Sequence, residues 1–137
     1  MDIVLCETYG MNCMNAALKN GAPIMLDKVT GIATSLGARK VSQGCFDLLT
    51  DFKKRGGGVH SELVSDKETV QACMDLANEQ RVLVEPACGA AVAGLKTWSK
   101  KKGMTKNKKK EMDIVVIVCG GSGINLELLA KFNEDTK

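Results

Sequence analysis

The chain has 137 residues, 45% of them hydrophobic and 26% charged, with a formal net charge of +3. Such a length fits one domain or part of one, and the composition is that of an ordinary globular protein. The charge is too small to imply a nucleic-acid partner. The longest apolar runs fall far short of the roughly 20 residues that span a bilayer. No basic segment followed by an apolar stretch and a small-residue cleavage site opens the chain, so a cytoplasmic protein with no membrane partner is expected.

Residues 3–6 form a short apolar run suited to a buried strand, followed by Glu7-Thr8-Tyr9-Gly10. Met11, Met14, Ala17 and Leu18 then recur at helical spacing, and Asn20-Gly21 with Pro23 beyond it is a helix stop. Residues 29–36 are mixed and punctuated by Gly31. Val41, Cys45, Leu48, Leu49 and Phe52 mark a second amphipathic helix that begins near Ser42 and ends at Arg55-Gly56-Gly57-Gly58. Residues 59–64 read as a strand. Ser65-Asp66-Lys67-Glu68 fits a capping box, in which Ser65 and Glu68 satisfy each other's free backbone donors. The helix it opens places Val70, Cys73, Met74 and Ala77 on one face.

Val82-Leu83-Val84 leads into Glu85-Pro86 and a small-residue helix from about Ala87 to Trp98, whose Ala and Gly positions admit close packing of another backbone. Pro86 suits a first helical position, and with Glu85 is expected to set a turn and helix start. Lys100, Lys101, Lys102, Lys106, Lys108, Lys109 and Lys110 make one basic run, with residues 103–112 read as a solvated linker. It has no interleaved aromatic residue for base stacking. Residues 114–118, five apolar residues in succession, suit a central strand buried on both faces. Cys119-Gly120-Gly121-Ser122-Gly123 turns out of it into a last helix over 125–132, with Leu126, Leu129 and Ala130 inward. Strands alternating with helices imply an α/β fold with a largely parallel sheet.

Six cysteines, Cys6, Cys13, Cys45, Cys73, Cys88 and Cys119, show no C-x-x-C pair and no zinc spacing. Several lie in apolar stretches, as small buried hydrophobes do, and free thiols in a reducing compartment are expected. Cys119 would be a nucleophile only with a base or helix N-terminus to lower its pKa. The single histidine, His60, lies far from it in sequence and reads as an edge residue. The glycine loop around Cys119 stands where an open parallel sheet binds ligands, beyond the carboxyl ends of its strands. Taken alone it is equally a tight strand-to-helix turn. It matches neither G-x-G-x-x-G nor a P-loop.

Three strings change that balance: Glu7-Thr8-Tyr9-Gly10, residues 83–91 (Leu-Val-Glu-Pro-Ala-Cys-Gly-Ala-Ala) and residues 115–122 (Val-Val-Ile-Val-Cys-Gly-Gly-Ser). In this order and separation they resemble the liver-type L-serine dehydratase/L-threonine deaminase family, over nearly the whole chain. The resemblance implies the fold-type II (tryptophan synthase β-like) architecture, here part of its large domain: a three-layer, mostly parallel sheet flanked by helices. It implies pyridoxal 5'-phosphate (PLP) as cofactor. The implied reaction removes water and ammonia from L-serine or L-threonine, with a homodimer as the complete enzyme.

Cys119 would face the pyridine nitrogen, with Gly120 and Gly121 beside it. Glu7, with backbone carbonyls of Met11, Leu36 and Ala38, would match the family's monovalent-cation (K+) site, a ligand set sensible for a hard cation. Met11 stands where the family has a small residue. The alternative for Glu7 is a carboxylate that caps a helix. The family's covalent lysine lies in a Ser-x-Lys-x-Arg-Gly motif that does not occur among these residues. The expectation is therefore a C-terminal half that is inactive alone, or a non-catalytic chain that pairs with a full-length one. A synthase on the same fold is the nearest rival, and Cys119 argues against it.

Overall fold

A computed structural model describes residues 1–104 and 112–136. Most of the lysine-rich linker expectation falls on residues 105–111, outside the described residues.

Strand β1 (Asp2–Thr8) leads to helix α1 (Cys13–Asn20), which stops where Gly21 takes the left-handed φ of 77° that glycine adopts freely. A single 3-10 turn, Thr34–Leu36, precedes helix α2 (Gln43–Lys54), whose N-cap Ser42 accepts from the Cys45 N–H. Strand β2 (Gly58–Val64) follows, then helix α3 (Asp66–Asp75), opened by the expected capping box and widened into a π turn over Leu76–Gln80. Helix α4 (Pro86–Lys101) has Glu85 at its N-cap and Pro86 at its first position; helix α5 (Leu126–Asp135) is capped by Asn125.

β1 and β2 pair in parallel, with Cys6 opposite Glu62 and Thr8 opposite Val64. Side chains alternate between the two faces of a strand, and this alternation sorts the helices into layers. Leu5 and Ser61 face α1 and α2: Leu5 packs on Met14, Ala17 and Phe46, and Ser61 accepts from Asn15. Cys6, His60, Glu62 and Val64 face α4. Their partners there are Gly94, Trp98, Lys101 and the Ala90–Ala93 stripe. The result is the expected α/β layering, a parallel sheet between helices.

Small residues in α4 are what permit it. A Cβ at Gly94 would stand 2.4 Å from the Cys6 sulfur, and one at Gly89 2.4 Å from the Thr69 carbonyl oxygen. Helix α3 is covered by α4 and, through Val70, Cys73 and Leu129, by α5. For that reason Thr69 and Ala72 are buried beside the expected Val70 and Cys73, while Met74 and Ala77 are only half-buried.

Two expectations fail. Residues 114–118 form no strand; Val115 is 88% exposed and Ile117 73%. Dense β-branching favours extended backbone, but a strand exists only when its N–H and C=O groups find partners. Among the described residues no strand runs beside this stretch. In α5, Leu126 and Ala130 point outward. The inward stripe is Ile124, Leu128 and Phe132 with Leu129, because Ile124 anchors the helix start in the core.

Candidate functional site

α4 runs antiparallel to β2, since Ala90 packs near Val64 while the Trp98 ring lies 5.6 Å from that of His60. Its first turn therefore stands at the carboxyl edge of the two strands, where open parallel sheets bind ligands. Glu7, the turn at residues 34–38, Glu85 and the glycine loop gather along this edge.

Cys119 is exposed, and no described residue hydrogen-bonds its sulfur. The two glycines after it are strapped to the approach and first turn of α4. Gly120 accepts from the Glu85 N–H at 3.2 Å, and its own N–H donates to the Cys88 sulfur at 3.3 Å. The Cys88 thiol returns a bond to the Gly120 carbonyl at 3.6 Å. A Cβ at Gly120 would meet the Glu85 Oε1 at 2.4 Å, and one at Gly121 would meet the Leu83 carbonyl oxygen at 2.9 Å. Backbone thus crowds Gly121, while at Gly120 the neighbour is the end of the Glu85 side chain. That leaves the thiol side of the loop open.

Glu85 holds the N-cap position without using its side chain as a cap. Its Oε1 instead accepts from the Ser35 hydroxyl at 2.8 Å, while Oε2 lies beside Gly123. A cleft of about 390 Å³ opens there, lined by Thr34, Ser35, Glu85, Pro86, Gly123 and Phe132 among others.

Glu7 is buried, and its carboxylate spans the start of α1, with Oε1 accepting from Met14 N–H at 2.9 Å and Oε2 from Asn15 N–H at 2.7 Å. Burial raises its pKa above the usual carboxylate range, against the lowering effect of the two N–H donors. The helix-capping alternative is the arrangement present. Met11 is also buried and touches the 34–38 turn, its sulfur 3.9 Å from where a Gly37 Cβ would stand. Within that turn the Leu36 carbonyl accepts from the Ala38 N–H. Of the four residues expected around a cation, Met11 thus meets the turn that holds Leu36 and Ala38, while the Glu7 carboxylate is engaged by the start of α1. Among the described residues no three His, Cys, Asp or Glu side chains converge as a metal cluster.

Ser35 and Cys88 are the site residues that sequence reasoning missed. Ser35 lay in a segment without clear periodicity, and Cys88 counted only as a letter within a recognisable string.

Residues 1–120 match the family of pyridoxal-phosphate dependent enzymes. The chain is 38% identical over 130 residues to human serine dehydratase-like, covering 90% of this chain and 36% of that protein. It is 34% identical over 129 residues to mouse L-serine dehydratase/L-threonine deaminase, covering 93% and 38%. Its fold superposes on the crystal structure of a fungal L-serine ammonia-lyase from Rhizomucor miehei with a TM-score of 0.83 at 28% identity, covering all of this chain and 42% of that one. The chain thus spans little more than a third of the length of these curated relatives.

Proposed function

The chain belongs to the pyridoxal-phosphate-dependent enzymes, and on that premise we propose that it forms the Cys119 side of the active site of an L-serine/L-threonine dehydratase. The reaction would yield pyruvate or 2-oxobutanoate with ammonia. One observation carries the reading: an exposed thiol, without a hydrogen-bond partner among the described residues, stands on a glycine loop that one main-chain and two thiol contacts fix at the carboxyl edge of the sheet.

The residues present fit the cofactor. A planar ring needs an open face, and Gly120 and Gly121 place no side chain beside Cys119. When bound, PLP supplies the electron sink for the carbanion at the substrate α-carbon. The chain's own part is positional. Cys119 would offer its sulfur to the ring nitrogen in place of the carboxylate that an aspartate would bring. The loop backbone, held by Cys88 and Glu85, keeps that sulfur in place. The lysine that would bind the cofactor covalently is proposed to come from polypeptide beyond these residues. Every lysine among the described residues is exposed, without the desolvation that activates such an amine.

The same edge would take a monovalent cation, K+, through Glu7 and the carbonyls of Met11, Leu36 and Ala38. The chemistry of the donor set supports this, carboxylate and carbonyl oxygens being ligands for a hard cation. The substrate is an amino acid, the complete protein a homodimer, and its compartment the cytoplasm. Among the described residues no helix is long and apolar enough to cross a membrane.

A second reading, a non-catalytic chain that pairs with a full-length relative, is favoured by the unpaired apolar stretch at 114–118. PLP titration of the chain, alone and mixed with such a relative, tests both. Turnover of L-serine that requires supplied lysine-bearing polypeptide supports the first reading. Loss of the relative's own activity on mixing supports the second.

A further inference from the structure

The Glu85 carboxylate stands at the N-cap of α4 without capping it. Glu85 is half-buried, and its side chain turns away from the α4 N–H groups, which it would cap, toward Ser35. Both of its oxygens stand against the glycine loop: Oε1 fills the space a Gly120 side chain would take, and Oε2 lies next to Gly123. Its main-chain N–H holds the Gly120 carbonyl from the other side. One residue thus grips the loop by backbone and side chain. Ser35, from a turn 50 positions earlier in sequence, fixes the side-chain half of that grip.

We propose that Glu85 is a positioning residue for the glycine loop. Tethered by Ser35, its carboxylate is the wall that sets where Gly120, and so the neighbouring Cys119, stands beyond the carboxyl edge of the sheet. The function assigned to Cys119 rests on the reading above; the positioning itself does not. The role needs an acceptor of glutamate's length and not a charge, because the contacts are a hydroxyl donor and van der Waals approach.

Amide hydrogen exchange by NMR on the 137-residue chain tests this. The probe is Gly120 N–H, whose acceptor is the Cys88 sulfur, and the controls are Ala90 and Ala93 in the buried face of α4. Glu85→Ala is expected to speed Gly120 exchange by about tenfold or more while the α4 controls hold, since local opening is freed without global loss. Glu85→Gln, which keeps length and acceptor, restores near-native exchange. Ser35→Ala, at an exposed position that leaves the core untouched, speeds Gly120 in the same sense and covers the case in which Glu85→Ala does not fold.

The proposal is overturned if Gly120 exchange is unchanged in Ser35→Ala and Glu85→Ala. It is equally overturned if Ala90 and Ala93 speed up by the same factor as Gly120, or if Glu85→Gln behaves as Glu85→Ala. Failure of PLP to bind the complemented chain would defeat the functional reading and leave these exchange rates as they are, so the two fail separately.

Discussion

The Cys73 thiol is fully buried, donates to the Glu85 carbonyl at 3.6 Å, and is pushed by desolvation to a pKa of about 11. Cys6, wedged against Gly94 with Glu62 and Glu7 nearby, is likewise pushed up to about 11, first by burial and then by those carboxylates. Because the thiolate is the reactive form, neither should react at pH 8 in the folded state. Cys45 and Cys119 are exposed. Timed alkylation with mass-spectrometric readout is expected to label Cys45 and Cys119 first, and Cys6, Cys73 and Cys88 only after denaturant is added. Labelling of Cys73 as fast as Cys119 would contradict the described packing. The sequence indicated free thiols, since six cysteines without paired spacing in apolar stretches read as buried hydrophobes. It did not indicate which thiol holds the glycine loop. That role of Cys88 depends on contacts across 32 positions, beyond the reach of any local pattern.

Element starts and stops were legible wherever a short-range device sets them. Ser65 and Glu68 make the capping box reciprocally, with Glu68 Oε2 accepting from the Ser65 N–H at 2.8 Å. These bonds hold the Glu68 carboxyl below its usual pKa of 4.5. A lowered carboxylate contributes stability that is present above the unfolded pKa and lost as pH falls through the folded one. Ser65→Ala is therefore expected to cost about 1 kcal/mol at pH 7. The difference between variant and parent should shrink on acidification below about pH 4.5, as followed by urea unfolding across pH.

Glycines in α4 report the layer contact directly. Gly94→Ala drives a methyl into Cys6, with its Cβ 2.7 Å away, and should destabilise by about 1–3 kcal/mol through overpacking. Gly44→Ala, with open space around its Cβ, should instead be neutral or mildly stabilising, as Ala replaces Gly within a helix. What misled at this scale was 114–118 and α5. β-branching announces extended backbone but cannot announce the neighbour that completes a strand. In α5 the apolar letters outnumber the positions that the Ile124 anchor turns inward.

At the scale of the molecule, the parallel pairing and the helix layers were foreseeable from the alternation of strands and helices and from the three strings. The Glu85–Ser35 contact was not, because Glu85 looked sufficiently explained as a helix start. The exposed run at 114–118 makes one further demand. Val115, at 88% exposure, and Ile117, at 73%, belong to an apolar stretch whose backbone finds no partner among the described residues, the arrangement that recruits another chain. The chain by itself should self-associate with rising concentration. Val115→Lys with Ile117→Lys should shift it toward monomer in light scattering, leaving the α4 core untouched.

The measurement that bears most directly on the central claim is borohydride trapping of PLP followed by peptide mapping, run alongside ammonia release from L-serine. The chain alone should show no stoichiometric modification of a single lysine and no turnover. Supplied with the lysine-bearing part of a serine dehydratase relative, it should show both, with the modified lysine on the supplied part and the activity weakened by Cys119→Asp. Stoichiometric trapping on one lysine of this chain, with turnover in the absence of any partner, would contradict the account.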